Sequence, residues 1–157
     1  MRAKKDVNIY IETDSRGTRK QARWYGAAVE FIRASGEAEK RSVYGGMEAT
    51  YNRISLIALT KALELLICPC NVTVYMQCDH VKGSIMQGYA DRWNGNGWRN
   101  ERNEPVANAE EWKALLVQAS KHELSFGFNP DHPYREELVK EIGRRRGAVY
   151  RQSSLLS

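Results

Sequence analysis

Asp14 is the residue best placed to do chemistry. It closes an alternating apolar and polar run, Val7 to Thr13, and is followed at once by Ser15, Arg16 and Gly17. An acid at the carboxyl end of a central strand can hold a metal ion in a cleft; a solvated acid at a turn has the same local signature. Beyond it, Arg16, Arg19, Lys20 and Arg23 form a basic loop that can lie near phosphates or simply be solvated. A second candidate for metal chemistry is Cys68-Pro69-Cys70 with Cys78, but no second Cys-x-x-Cys and no histidine at ligand spacing accompanies it. Loop and core cysteines are the better account.

These residues need elements to position them. Val7, Ile9, Ile11 and Thr13 share one face at a period of two, the pattern of a half-buried strand. Tyr25 to Ala34 reads as a second strand and Glu37 to Tyr44 as a third, with Ser35-Gly36 as the hairpin turn between them. Gly45-Gly46 is expected to end the third. Asn52 is a candidate N-cap for an amphipathic helix running to Leu66, with Ile54, Ile57, Ala58, Ala62, Leu65 and Leu66 inward. Val72 to Gln77 is a fourth strand, which the helical crossover makes parallel to its predecessor in the sheet. Asp79 then caps a short helix through Tyr89. Ala107 to Lys121 is a helix, Glu123 to Asn129 a fifth strand, and Tyr134 to Arg144 a last helix. Residues 143–157 look like a basic, frayed tail beyond a core of about 7–142.

The chain's 157 residues fit one domain with a real core. Lysine and arginine number 24 against 19 acids, and the net charge of +5 favours polyanionic partners. Three cysteines cannot all pair within the chain, and no secretory leader precedes them, so a reducing cytoplasm is the expected location. No apolar run approaches membrane-spanning length, which argues against a membrane role.

Several short motifs punctuate the order strand-strand-strand-helix-strand-helix-helix-strand-helix: Thr13-Asp14-Ser15, Tyr25-Gly26-Ala27, Asn52-Arg53 opening the amphipathic helix, Val72-Thr73-Val74-Tyr75, and the segment around Trp93 and Trp98. Order and motifs together resemble ribonuclease HI. The resemblance covers roughly Val7 to Ile142. It implies an α/β ribonuclease H-like fold with a mixed five-stranded sheet, three antiparallel strands and two added in parallel, flanked by helices. It also implies cleavage of the RNA strand of RNA/DNA hybrids with two divalent metals, magnesium or manganese, held by four carboxylates.

Carried over residue by residue, the resemblance keeps Asp14 as the acid that touches both metals. Ser55 falls where the first helix should carry a glutamate, and Gln77 where the fourth strand should end in an aspartate. Glu136 is the best match for the acid opening the last helix; the family's histidine has His132 as its nearby candidate or no equivalent, since an ungapped match puts Asn129 in its place. Magnesium prefers charged oxygen ligands, so neutral Ser55 and Gln77 should weaken double occupancy by several kcal/mol at low-dielectric interaction scales. Asp79 is a possible substitute acid, and Glu12 and Glu48 are others; their plain alternatives are a helix cap, a polar residue on the strand and a loop acid. By resemblance, Asn52 and Tyr51 meet the minor groove of the hybrid. Arg92, Trp93, Trp98 and Arg99 belong to a protrusion along the DNA strand, although tryptophans there also suit a hydrophobic seam. Three functions follow: a hybrid or A-like duplex binder with a degenerate two-metal site and weak or no nuclease activity; an active hybrid nuclease with rearranged carboxylates; and a partner-binding module on the same fold.

Overall fold

The computed structural model describes residues 4–17 and 19–156, with side chains through residue 149. Among the described residues, five strands and five helices follow one another: β1 (Lys5–Thr13), β2 (Gln21–Ile32), β3 (Ala38–Ala49), α1 (Tyr51–Leu63), β4 (Cys70–Tyr75), α2 (Asp79–Met86), α3 (Tyr89–Gly95), α4 (Ala109–Ala119), β5 (Glu123–Gly127) and α5 (Arg135–Leu156). The strands form one mixed sheet in the order β3-β2-β1-β4-β5. β1 pairs antiparallel with β2, and β2 with β3, while β4 joins β1 in parallel and β5 joins β4 in parallel. The expected fold class is the observed one. No described helix is long and apolar enough to cross a membrane.

Both faces of the central strand are covered. Val7, Ile9 and Ile11 join Val29, Val72 and Val74 in the main core, beneath Ile54, Leu59 and Leu63 of α1 and Trp112 and Leu115 of α4. Burying each such aliphatic side chain stabilises by about 1.5–3 kcal/mol. On the opposite face Tyr10 and Ala28 pack against Leu138 of α5. β1 is therefore buried on both sides, not half-buried as its alternation predicts, and Glu12 is drawn in with it at 8% exposure. A helix laid across the second face turns polar alternation into a buried polar residue.

Several boundaries move for identifiable reasons. β3 runs through Gly45 and Gly46 to Ala49, because each glycine faces an aromatic cross-strand neighbour, Tyr25 and Trp24. A Cβ on Gly45 would lie 2.7 Å from the Tyr25 ring, and one on Gly46 2.5 Å from the Trp24 ring. These glycines make room; they do not end the strand. Thr50, not Asn52, caps α1, its side chain accepting from the Arg53 N–H at 3.3 Å. The helix closes at Leu63, beyond which Leu65 and Leu66 make only tighter i to i−3 bonds.

β4 begins and ends two residues before the expected span, since its parallel register with β1 runs from Lys5 opposite Cys70 to Tyr10 opposite Tyr75. Gln77 thus lies past the strand end. Cys78, not Asp79, holds the N-cap position of α2, and a further helix, α3, occupies the start of the Trp-Arg segment. β5 stops at Gly127. α5 continues to Leu156 where a frayed tail is expected from residue 143. Glu141 pairs with Arg144 and Arg145 along the helix, and Arg146 reaches Asp14 of β1's end, so the fourth turn has anchors of its own.

Candidate functional site

At the carboxyl ends of β1 and β4, between the start of α1 and the first three turns of α5, lies a cavity of about 260 Å³. Parallel strands leave such a crevice where neighbouring connections diverge. Ile11, Met76, Val139 and Ile142 contribute its apolar lining; Glu12, Asp14, Arg16, Tyr51, Ser55, Gln77, Arg135 and Arg146 supply its polar groups.

Asp14 is held tightly. Oδ1 accepts the Trp24 backbone N–H at 2.9 Å and the Ser15 hydroxyl at 3.5 Å, while Oδ2 lies 3.3 Å from Arg146 Nη1. Its side chain is 6% exposed. Glu12 is similarly enclosed, with Oε1 3.5 Å from Arg135 Nε and Oε2 3.9 Å from His132 Nε2. Burial raises the Glu12 carboxyl above the usual carboxylate range, against the opposing pull of Arg135 and then Arg16. Burial, with Arg135 second, holds His132 below the usual imidazole value despite the nearby Glu12. Burial chiefly, followed by the neighbouring Cys78, pushes the Tyr51 phenol up to about 12, so it stands protonated in the cavity wall.

The basic loop is shaped from within by Arg23. Buried to 1% exposure, it donates Nε to Ala49 O at 2.8 Å, Nη1 to Ser15 Oγ at 3.0 Å, and Nη2 to Gly17 O at 3.1 Å and Arg19 O at 2.7 Å. Arg23 is thus a structural pin in β2, not one of the loop's solvent-facing charges. It fixes the turn that carries Arg16 to the cavity.

Of the four acid positions that the resemblance implies, three meet here. Asp14, Ser55 and Gln77 line the same cavity, with Tyr51 beside them. Glu136 does not join them: it is exposed on α5, while its neighbour Arg135 turns inward. Helix geometry decides this, because Arg135, Val139, Ile142 and Arg146 recur on one face and Glu136 lies about 100° away from it. Asp79 is not a substitute in this arrangement either. Its side chain is 98% exposed and pairs with Lys82 at 3.5 Å within α2. Glu48 is exposed on β3, whereas Glu12 does reach the cavity.

His132 is buried, stacked on Tyr10 with ring centroids 4.6 Å apart, and its Nδ1 accepts from the Tyr134 N–H at 3.2 Å. Asn52 accepts from the Cys78 thiol at 3.4 Å. Trp98, expected among the nucleic-acid contacts, is in the core at 8% exposure. Trp93 is half-buried, edge-on to Trp112 at 5.8 Å, and lines a separate shallow hollow with Tyr89 and Arg102. Arg92 lies over the Tyr89 ring at 4.5 Å, and Arg92 and Arg99 are exposed.

Arg135 and Arg146 are the cavity residues that sequence reasoning missed. Their signal was present: an inward face spaced three to four residues apart extends through position 146 once the helix is continued past 144. Among the described residues, no group of three or more His, Cys, Asp or Glu side chains is placed to hold a metal ion. The carboxylates that could offer oxygen are Asp14 and Glu12, both already facing cationic or N–H groups.

A family model for RNase H matches residues 4–136. The chain is 33% identical over 134 residues to a protein from Lachnoclostridium phytofermentans named Ribonuclease H, covering 83% of this chain and 85% of that relative. Among solved structures it is similar to LC9-RNase H1, described as a type 1 RNase H with the type 2 active-site motif. That match has a TM-score of 0.70 and 16% identity, over 92% of this chain and 71% of the other. It is also similar to a foamy viral protease-reverse transcriptase solved in complex with RNA/DNA hybrid, with a TM-score of 0.60 and 15% identity, over 88% of this chain and 19% of the viral one. At these identities the two structural likenesses carry the fold alone.

Proposed function

Since the chain belongs to the RNase H family, we propose that it binds RNA/DNA hybrid or a similar A-like duplex across the cavity, with hydrolysis weak or absent. One observation carries this reading. The acid that would bridge two metals, Asp14, has one oxygen on backbone and hydroxyl donors and the other on a guanidinium. Family members use divalent ions as a rule, so the fit of such ions to these residues matters. Ser55 and Gln77 are neutral, Glu136 is outside, and Glu12 and Asp14 already face three arginines of the same cavity, Arg16, Arg135 and Arg146. A pair of dications needs several anionic oxygens and would here meet an excess of positive charge. At about 4 Å and an effective dielectric near 20, each like-charge pair costs about 4 kcal/mol. The residues present do not fit a two-metal centre.

What these side chains do instead is bind and orient. By the family resemblance, Tyr51 and Asn52 would meet a hybrid's minor groove, where the short amide of Asn52 suits the 2′-hydroxyls. Arg92 and Arg99, with Trp93 beside them, offer contacts to the phosphate backbone, while Trp98 serves packing. The viral neighbour's hybrid complex supports that ligand class, which we carry over to this chain. The three cysteines, all unpaired, suit a reducing cytoplasm.

A second reading, an active hybrid nuclease, has support in the shared name of the relatives. Cleavage of a labelled RNA/DNA hybrid separates the two, assayed in magnesium and in manganese for wild type, Asp14→Asn, and Ser55→Glu with Gln77→Asp. Wild type is expected to cleave little. The double substitution should gain only when Arg146→Ala is added, because Asp14 must first be released from its guanidinium. Strong cleavage by wild type that vanishes in Asp14→Asn would establish the second reading in place of the first. Failure to bind any duplex at low salt would leave a partner-binding module.

A further inference from the structure

Resting on that reading, we infer that the cavity seats a phosphate of its ligand directly on the guanidinium groups of Arg16, Arg135 and Arg146, with no divalent cation between them. The chain places positive charge beside its two buried carboxylates by means of side chains. Arg146 Nη1 lies 3.3 Å from Asp14 Oδ2 and Arg135 Nε lies 3.5 Å from Glu12 Oε1, so each acid orients one arginine toward the cavity. A guanidinium carries five N–H donors in a planar fork that matches phosphate oxygens.

The arginines of this region divide into two kinds. Arg23 has its donors committed to Ala49, Ser15, Gly17 and Arg19 and is buried. Among the described residues, Arg146 makes a single side-chain hydrogen bond, to Asp14, and Arg135 makes only its longer ion pair with Glu12. Their side chains are 44% and 53% exposed, open to an incoming ligand. A structural arginine saturates its donors; a ligand-binding one keeps them available. Three cationic groups face two anionic ones around about 260 Å³, which leaves the cavity one positive charge in excess and roomy enough for a tetrahedral oxyanion with water. The Ser55 hydroxyl, the Gln77 amide and the Tyr51 phenol add neutral donors to the same walls.

The phosphate can be an internal diester of a strand, a terminal monoester, or a free ion, and the test distinguishes them. Fluorescence anisotropy would follow a dye-labelled RNA/DNA hybrid, with and without 5′-phosphates, in EDTA and in magnesium, across a salt series. Wild type, Arg146→Gln, Arg135→Gln and Arg144→Gln are compared; Arg144 pairs with Glu141 and does not line the cavity. Expected are equal affinities in EDTA and magnesium, a loss of about ten-fold in Arg146→Gln with a salt slope shallower by about one, and little change in Arg144→Gln. A preference for the 5′-phosphorylated hybrid assigns the monoester; equal binding assigns the diester. Affinity that depends on magnesium, or wild-type affinity in Arg146→Gln, would overturn the inference while leaving duplex binding intact.

Thermal unfolding in EDTA with added pyrophosphate gives an independent readout. If the hybrid does not bind but pyrophosphate raises Tm in wild type and not in Arg146→Gln, the duplex reading falls and the anion seat stands, for a free or small phosphate. If neither ligand acts through Arg146, the anion seat is refuted.

Discussion

A carboxylate withdrawn from water resists ionisation, and Glu12 is in that position at the end of β1. Burial raises its folded-state pKa above the unfolded value, and Arg135 and Arg16 reverse this only in part. The native state then binds more protons than the unfolded chain over the interval between the two values. Its contribution to stability is complete below the unfolded carboxylate value and is lost as pH rises through the folded one. Above that interval the ionised side chain is a liability to the fold. Glu12→Gln should raise Tm at pH 7, with the gain shrinking toward about pH 4, just below the ordinary carboxylate value. Equal gains at both pH values, or a loss at pH 7, would contradict this account. A buried destabilising acid is what a site retained for function looks like, since a residue kept for stability alone has a better neutral substitute.

At the scale of elements, β3 and α5 decide where the site can be. β3 stays paired through Gly45 and Gly46 because Trp24 and Tyr25 lie over them, and that pairing carries the strand to Ala49, whose carbonyl receives Arg23. A methyl group on Gly46 would sit 2.5 Å from the indole carbons of Trp24. Gly46→Ala should lower stability by about 1–3 kcal/mol through overpacking, read as a lower urea midpoint. Trp24→Ala in the same background should recover part of the loss, because it removes the ring that the methyl meets. Absence of any coupling between the two substitutions would show that the glycine is needed for another reason. α5 acts on the site more directly: Leu138 fixes its distance from the sheet, and the helical repeat then delivers Arg135 and Arg146, three turns apart, to one cavity.

For the whole molecule the net charge of +5 favours weak association with polyanions in general, and salt dependence alone does not identify a site. Response to divalent ions is more discriminating. An ion that binds the native state raises Tm by linkage, whether or not it supports chemistry. With both cavity carboxylates facing guanidinium groups, 10 mM magnesium should leave Tm unchanged in wild type, and Arg146→Ala with Ser55→Glu and Gln77→Asp should acquire a magnesium-dependent rise. A rise of several degrees in wild type that Asp14→Asn abolishes would instead mark a working metal centre.

Local pattern was enough for most of the architecture. Alternation in Val7 to Thr13, the Ser35-Gly36 turn, and the apolar face beginning at Ile54 are short-range signals, and each specifies an element without reference to the rest of the chain. Motif order, from Thr13-Asp14-Ser15 to Val72-Thr73-Val74-Tyr75, was likewise legible and led to the family. Ser55 and Gln77 could be assigned to the same place as Asp14 on that basis, and the cavity contains all three. Three other matters depended on chain segments far apart in sequence. Whether Arg23 faces water or is buried depends on the carbonyl of Ala49 across a hairpin. Whether Trp98 stacks on a ligand or fills the core depends on how the helices around it pack. Whether Glu136 or Arg135 looks into the cavity depends on the rotation of α5 about its own axis, set by Leu138 against Tyr10 and Ala28. One residue of rotation exchanges an acid for a guanidinium, and no local propensity encodes that angle.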